Sequence, residues 1–261
     1  MKQKPRLLDL FCCAGGSAAG YAKAGFEVVG VDIKPQPNYP FEFIQADAEK
    51  YLLDNWTKFD AFHASPPCQK HTKTRHLANA RNGGKYPDHP DFIEPIRGLF
   101  EVIGNAVGNK PWVIENVHGA PLLDPISLYG SQFGLKTQRR RCFESNIKLT
   151  EPEKKMQKMQ TLSAGNGIGP DGSISICGSG GVRGLNAKQI RLYWGYALGG
   201  IDWMSRQEMA ECIPPVYAEF IGKQVMKYVK RLSEHLPTND RTRRLRNDSI
   251  RHSNRNNTRH L

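Results

Sequence analysis

The sequence predicts an α/β fold with an open, mostly parallel sheet that carries helices on both faces. Two observations support this prediction. Strand-like and helix-like segments alternate along the first half of the chain, and the strand-like segments are short apolar runs rich in β-branched residues. With 261 residues, of which 39% are hydrophobic and 24% charged, the chain has the composition of a globular protein and can bury a core without disulfide staples.

The individual elements follow from hydrophobic spacing. Strands are predicted over 6–11, 26–32, 41–45, 58–65 and 112–117. Helices are predicted over 17–24, 47–54 and 92–107, the last with apolar residues at helical spacing. After about residue 145 the pattern weakens into a glycine-rich stretch, and helical spacing returns over 205–211 and 215–232. The chain therefore divides into 1–145, a loop-rich region 146–204, a returning helical segment 205–236 and a tail 237–261.

The charge balance favours a polyanionic partner. Lys and Arg number 37 against 25 Asp and Glu, a net charge of +12. The tail 237–261 holds seven arginines against two aspartates and few apolar residues, so we expect it to be disordered, yet most of the positive charge lies before it. Nucleic acid is the commonest partner of such a surface. No apolar stretch is long enough to span a membrane, and six cysteines in this length do not form a disulfide framework, so we expect a cytoplasmic protein.

The first strand runs into a turn of small residues that includes Gly15 and Gly16. Such a turn suits close approach of a cofactor to the backbone, and Asp32, which ends the second strand, can accept both hydroxyls of a ribose. The turn lacks the G-x-G-x-x-G pattern of a dinucleotide phosphate clamp. These features suit an adenosyl cofactor without phosphates, such as S-adenosylmethionine, although many α/β proteins have a glycine turn here for structural reasons alone.

The segment Ser65-Pro66-Pro67-Cys68 places a thiol at the end of a central strand. Two prolines stiffen the chain there, and ligands of open α/β sheets bind at this edge, so Cys68 is a candidate nucleophile; the alternative is a buried structural cysteine. A basic, glycine-containing loop follows, which can contact a phosphate backbone and favour the thiolate, or can be a solvated loop. The candidate nucleic-acid-binding residues are Gln69, Lys70, Lys73, Arg75, Arg81 and Lys85.

Two further groups of polar residues complete the candidate site. Glu115 ends the apolar strand 112–117, where a carboxylate is either functional or simply in water. Three consecutive arginines enter a later strand, and alternation puts Arg139 and Arg141 on one face, to bind phosphate or a base edge or to form a basic surface. The glycine turn, Cys68 and Glu115 all follow carboxyl ends of predicted parallel strands, so they should share one rim of the sheet.

Taken in order, these motifs resemble the DNA (cytosine-5) methyltransferase family. DLFCCAGGSAAGY is similar to its cofactor motif, SPPCQ to its nucleophile motif, IENV to its ENV motif, TQRRRCF to its arginine motif and IPPVYA to a variant of its final motif. Cys13 stands where the family has a glycine, and Pro214-Pro215 replace a Gly-Asn pair. The resemblance implies a Rossmann-like class I S-adenosylmethionine-dependent methyltransferase sheet over 1–145, with 146–204 as a small target-recognition region.

The resemblance also implies residue roles. Cys68 would be the nucleophile and Glu115 the acid, with Arg139 and Arg141 completing the catalytic set if the Cys142-Phe143 pair anchors the arginine motif. Anchoring on Gln138 instead would leave Arg140 and Cys142. The implied cofactor-binding residues are Phe11, Cys13, Ala14, Gly15, Gly16, Asp32, Ile33, Asp47 and Pro67. In this scheme Phe11 and Ile33 sandwich the adenine and Asp47 meets its amino group.

The implied activity is transfer of a methyl group from S-adenosylmethionine to C5 of a flipped cytosine through a covalent Cys68 adduct. The expected partner is double-stranded DNA, with RNA as an alternative, for a monomeric enzyme that needs no metal. Such an enzyme could serve restriction–modification or protect a viral genome. Two other functions stay open: an RNA (tRNA) cytosine-5 methyltransferase of the same fold, and a nucleic-acid-binding homologue with weak catalysis.

Overall fold

A computed structural model describes residues 3–68, 70–71, 90–106, 109–160, 167–176 and 184–235. Five of the six predicted nucleic-acid-binding residues, all but Lys70, lie outside the described residues, as does the tail 237–261. The predictions for those residues therefore stay predictions.

The strands of the described chain form one mixed sheet. Their bounds are β1 Arg6–Leu10, β2 Glu27–Asp32, β3 Glu42–Gln45, β4 Ala61–Ala64, β5 Trp112–Asn116, β6 Ile126–Leu128 and β7 Arg141–Ser145. The strand order is β3-β2-β1-β4-β5-β7-β6, and β7 runs antiparallel to both of its neighbours while the other pairings are parallel. The predicted mostly parallel sheet is confirmed, and each of the five predicted strands is present.

Helices cover the sheet. Their bounds are α1 Gly16–Lys23, α2 Ala48–Asn55, α3 Ile93–Ala106, α4 Ala187–Ala197, α5 Arg206–Glu211 and α6 Pro215–His235, with 3-10 turns at Trp56–Lys58 and Gly130–Phe133. Successive side chains of β1 point to opposite faces of the sheet, and both faces are apolar. Leu7 packs with α1 and α6, whereas Leu8 packs with α2 and α3, and both are fully buried.

Helix α4 lies inside the region 146–204, which was expected to be rich in loops, so at least its residues 187–197 are helical. Asn186 caps α4 by accepting from the backbone N–H of Gln189, whose side chain bonds back to Asn186. Ile190 and Trp194 pack with Met209 of α5 in a third apolar cluster. The predicted boundary at 204 therefore passes through one packed unit, because the long glycine-rich stretch hides the short helical period that follows it.

Parallel pairing brings the ends of the central strands together. The register pairs Leu10 with Ala64 and also with Val31, and the end of β5 pairs with the start of β7, Asn116 opposite Cys142. The segments that leave β1, β2, β4 and β5 and the segment that enters β7 consequently meet at one rim. This is the rim on which the sequence analysis placed the candidate site.

Candidate active site

A cavity of about 270 Å³ opens at this rim, just below the roughly 300–1,000 Å³ typical of small-molecule sites. Its wall contains most of the predicted site residues: Phe11, Cys13, Ala14, Gly16, Asp32, Ile33, Asp47, Pro67, Cys68, Glu115 and Arg141. A further wall, which no sequence motif indicated, comes from the segment before α6 and includes Met204, Glu208, Glu211 and Ile213. Two predicted site residues, Gly15 and Arg139, do not line the cavity.

The glycines of the first turn make room for protein, which differs from the expectation that they make room for a cofactor. Gly15 has a φ of 82°, and a Cβ there would lie 2.8 Å from Cδ of Pro40. A Cβ on Gly16 would collide with Cys212 and the backbone of Ile213. The turn is therefore glycine-rich because residues 39–40 and the segment before α6 press against it, and these contacts depend on long-range packing.

The end of β2 presents a fixed carboxylate beside apolar surface. Asp32 accepts from the backbone N–H of Cys13 at 3.1 Å and of Lys34 at 2.9 Å. Next to it Ile33 is 67% exposed at the cavity, and Phe11 stacks at a tilt on Phe92, so apolar surface and an acceptor for a diol lie together. This set fits an adenosyl group. The carboxylate of Asp47 lines the cavity but also caps α2 by accepting from the Lys50 N–H.

Backbone contacts hold Cys68 at the rim. The Ser65 N–H donates to the Leu10 carbonyl at 3.1 Å, and the Asn116 side chain donates to the Pro66 carbonyl at 2.9 Å. Burial, and then the Glu115 carboxylate, raise the pKa of the Cys68 thiol, while Arg141 opposes them. Among the described residues, desolvation thus outweighs the nearby cation. The expectation that the basic loop after Cys68 favours the thiolate concerns residues that lie mostly outside the described ones, so it stays a prediction.

Glu115 is a buried acid with a neighbouring cation. Burial raises the pKa of its carboxyl to about 7, against the opposing effects of Arg141, Arg139 and the Ser65 hydroxyl. Nε of Arg141 lies 3.1 Å from Oε1 of Glu115. Near neutral pH a substantial fraction of Glu115 therefore carries a proton that it can donate to a ligand in the cavity.

The two predicted arginines diverge. Arg139 precedes β7 with a φ of 29°, and its partly buried guanidinium donates to the carbonyls of Cys212 at 2.6 Å and Ala210 at 2.8 Å. Only Arg141 reaches Glu115 and the cavity. The predicted sharing of one face was wrong because the strand begins at Arg141, so alternation does not extend back to Arg139. The geometry gives Arg139 a structural role, and its catalytic role remains a prediction.

We expect Arg139→Ala to destabilise the protein by about 3 kcal/mol, because it leaves two partly buried carbonyls before α6 without their charged donor. Urea unfolding at pH 7.5 measures this. Arg140→Ala is the matched control. Arg140 bonds the partly buried Ser127 hydroxyl and lies over the Tyr129 ring, so its loss should change stability by about 1 kcal/mol or less. Equal effects of the two substitutions would contradict the structural role.

Polar residues that the sequence analysis did not single out lie behind the cavity. Asp9 and His63 are fully buried inside β1 and β4, and Nε2 of His63 lies 3.9 Å from Oδ1 of Asp9. Ser17 donates to the other Asp9 oxygen at 2.9 Å. Burial raises the pKa of Asp9 to about 7. A polar residue in the middle of an otherwise apolar strand was the available sign of these groups.

We expect Asp9→Asn to flatten the pH dependence of stability. Folded Asp9 keeps its proton up to about pH 7 whereas unfolded Asp9 loses it near 4, so the wild type loses stability as pH rises from 4 through 7. Asparagine can still accept from Ser17 and has no charge to bury. The free energy of unfolding of the variant, taken relative to that of the wild type, should be on the order of 2 kcal/mol higher at pH 8 than at pH 5, as measured by urea unfolding. Parallel curves for the two proteins would contradict the assignment.

Three further observations bear on partners. Within the described ranges, no group of three or more His, Cys, Asp and Glu side chains could hold a metal ion, and no helix is long and apolar enough to cross a membrane. Lys70, at the edge of the described chain, is partly exposed with Nζ 3.8 Å from a carboxylate oxygen of Asp91. The carboxylate therefore offsets part of the charge that Lys70 would offer to a phosphate.

The strand order and the rim cavity define a Rossmann-like methyltransferase fold, and comparison with solved structures confirms it. The chain is similar to a protein described as a DNA modification methyltransferase of an Escherichia coli prophage (TM-score 0.51, 15% identity, covering 87% of this chain and 99% of that one). It is equally similar to the Dnmt2 methyltransferase of S. pombe (0.52, 14%, 88% and 99%) and the methyltransferase EhMeth of Entamoeba histolytica (0.51, 12%, 87% and 98%).

Sequence comparison adds a local match. The chain is 29% identical over 121 residues to the type II methyltransferase M.FnuDI of Fusobacterium nucleatum, which is 44% of this chain and 33% of that protein. The match thus spans about a third of the relative's length. No family model matches the chain. The methyltransferase fold that the motifs imply is therefore confirmed, and the local sequence match is to a type II methyltransferase.

Proposed function

We propose that the chain is a DNA (cytosine-5) methyltransferase with Cys68 as its nucleophile. The observation that carries this proposal is the convergence of Cys68, Glu115 and Arg141 on the cavity that also contains the carboxylate of Asp32. A thiol, an acid with a pKa near 7 and a guanidinium are the groups that activation of a pyrimidine requires. The names of the similar proteins, a type II methyltransferase and a DNA modification methyltransferase among them, favour this chemistry.

The cofactor side of the cavity fits S-adenosylmethionine. Asp32 would accept the ribose hydroxyls, and Phe11 and Ile33 would flank the adenine, with Asp47 near its amino group. When bound, the cofactor supplies an electrophilic methyl group. The protein's own residues must then make a cytosine carbon nucleophilic.

C5 of cytosine is a poor nucleophile until the ring receives electrons. In the proposed reaction the Cys68 thiolate forms a bond to C6 while the Glu115 carboxyl gives its proton to N3, and Arg141 holds O2. C5 then accepts the methyl group. Water takes the C5 proton, the S–C6 bond breaks to return the thiolate, and N3 returns its proton to Glu115. The target base must leave the duplex stack to reach Cys68, which costs a few kcal/mol.

The protonation states of Cys68 and Glu115 are coupled. An ionised Glu115 raises the pKa of the thiol, and Arg141 lowers it. The Cys68 thiolate is therefore favoured most when Glu115 holds a proton. A thiolate beside a protonated Glu115 carries one proton in total, as does a neutral Cys68 thiol beside an ionised Glu115. One internal proton shift thus prepares both groups together.

Methyl transfer from labelled S-adenosylmethionine tests the function. The full chain is incubated with unmethylated plasmid DNA or with a tRNA transcript, and bisulfite sequencing maps the product. We expect labelled cytosines in the duplex at a limited set of sites. Transfer to tRNA alone would establish the RNA methyltransferase instead, and binding without transfer to either would establish the binding protein.

A further inference from the structure

A second cavity lies outside the active-site cavity, and its wall is basic. It has a volume of about 230 Å³ and is formed by the 3-10 turn Gly130–Phe133, the residues just after that turn, and parts of the segments 154–159 and 171–173. Its lining includes three lysines, two serines and one carboxylate: Lys136, Lys154, Lys158, Ser131, Ser173 and Asp171. We call it the lysine cavity. No sequence motif indicated it, and the mechanism above does not use it.

Hydrogen bonds between separate segments of the chain build the lysine cavity. The Gln132 side chain donates to the Lys154 carbonyl at 3.2 Å, which ties the segment 154–159 to the 3-10 turn. The Ile174 N–H donates to the Lys136 carbonyl, which ties the segment 171–173 to the residues after that turn. The backbone from which two of the lysines project is therefore held in place, although their side chains are exposed.

The charges around the lysine cavity do not cancel. Among the described residues, none of the three ammonium groups has an ion-pair or hydrogen-bond partner. Asp171 accepts from the backbone N–H groups of Gln160 at 2.8 Å and Ser173 at 3.0 Å. The Ser173 hydroxyl and these two backbone groups lower the pKa of Asp171 to about 2, so it is ionised near neutral pH. Three positive charges thus face one negative charge in the described lining, and this surplus attracts an anion.

Two buried hydroxyls line the same cavity. The Ser131 hydroxyl accepts from the Gln157 N–H at 3.1 Å, so its own proton is left for another acceptor. The Ser173 side chain is 2% exposed, and its oxygen has no well-directed hydrogen bond within the described residues, although it lies near enough to Asp171 to affect that carboxyl. Lysine ammonium groups and serine hydroxyls are groups with which proteins bind phosphate oxygens.

The sheet register places the lysine cavity beside the candidate active site. Leu128, which ends β6, pairs with Arg141, which begins β7 and lines the active-site cavity. The 3-10 turn Gly130–Phe133 follows β6 after one residue. Lys136 precedes Arg141 by five residues, so their Cα atoms are at most about 18 Å apart. Phosphates of one DNA strand are spaced by roughly 3.4 Å along the helix axis, so this span corresponds to about five of them.

We propose that the lysine cavity binds a backbone phosphate of the DNA strand that flanks the target base. This inference rests on the proposed function, because it takes duplex DNA as the substrate. When the target base enters the active-site cavity, the neighbouring phosphates stay on the surface around the rim, and the three lysines lie within reach of that surface. A phosphate contact there fixes the position of the duplex without reading its sequence.

The salt dependence of duplex binding tests the proposal without methyl transfer. The full chain is titrated with a fluorescent unmethylated duplex at several NaCl concentrations, and the slope of log K against log salt concentration is compared between variants. The triple variant Lys136→Gln, Lys154→Gln, Lys158→Gln neutralises one phosphate fewer than the wild type. Its slope should be smaller by about 0.9, and its affinity should be about eightfold lower at about 0.1 M salt. Duplexes of unrelated sequence should show the same loss.

The matched control removes the same number of charges from exposed lysines that line neither cavity: Lys148→Gln, Lys155→Gln, Lys188→Gln. We expect this variant to keep most of the wild-type slope. Equal losses in the two triple variants would overturn the proposal, because total charge would then explain both.

Two other ligands separate the possible sources of the phosphate. A loss of affinity for a tRNA transcript but not for the duplex would overturn the proposal and assign the lysine cavity to RNA. Binding of inorganic phosphate, followed by NMR of the lysine side chains, with no effect of the triple variant on duplex binding would also overturn it. A smaller slope in a protein that transfers no methyl group would support the lysine cavity and reject the proposed function. Normal methyl transfer with an unchanged slope would do the reverse.

Discussion

Cys68→Ser should abolish methyl transfer, with a fall in kcat on the order of 10³-fold or more. Serine fits the same space between Pro67 and the cavity, but its hydroxyl has a far higher pKa than a thiol and does not add to C6. Binding of S-adenosylmethionine should change little, because the adenosyl side of the cavity is formed by the ends of β1 and β2. Transfer of labelled methyl to duplex DNA and calorimetric cofactor binding measure the two effects.

The matched control for this substitution is another cysteine. Cys142 is buried in β7 and does not line the cavity. Cys142→Ala should therefore keep transfer while losing some stability. Full activity in Cys68→Ser would remove the nucleophile from the account, and equal losses in both variants would show that folding rather than chemistry is affected.

Glu115→Gln should lower kcat by about 10²-fold and move the pH dependence. In the wild type at low pH, both the Cys68 thiol and the Glu115 carboxyl are protonated, and one of these two protons must leave before a thiolate can form. Burial raises the pKa of Glu115 to about 7, so we expect this loss near pH 7. We therefore expect kcat/KM to rise as pH increases toward 7 and then to level off. In the variant the carboxyl no longer titrates, and the remaining group is the Cys68 thiol, whose pKa burial raises. The rise should move to higher pH.

Initial rates between pH 5.5 and 9.5 check this prediction. Glu94→Gln, an exposed residue outside the cavity, is the control and should keep the wild-type profile. A Glu115→Gln profile that rises near pH 7 like that of the wild type would show that a different group titrates there.

Much of the site could be predicted because strand ends are visible in a sequence. Cys68 and Glu115 each follow an apolar run, and parallel pairing places such positions on one rim regardless of the loops between them. Asp32 was identified for the same reason, since it terminates β2. The hydrophobic spacing that identifies strands, together with the shared direction of parallel strands, was therefore enough to place these residues at one rim.

The remainder depends on contacts between distant segments. The separate fates of Arg139 and Arg141 follow from carbonyls before α6, about 70 residues away along the chain. Gly16 is needed because Ile213 presses against it, and no local pattern contains that fact. The contact between Tyr21 and His63 likewise joins α1 to β4 across 42 residues of chain. Helix α4 had a local sign, its Asn186 capping box, which the glycine-rich stretch before it obscured.

A duplex that carries 5-fluorocytosine tests the central claim most directly. Fluorine at C5 cannot leave as a proton does, so the ring should stay bonded to the enzyme after methylation. With S-adenosylmethionine present, we predict a stable protein–DNA adduct, and peptide mass spectrometry should place it on Cys68. A protein that binds the duplex and transfers methyl groups without this adduct, or that is captured through another residue, would contradict the account.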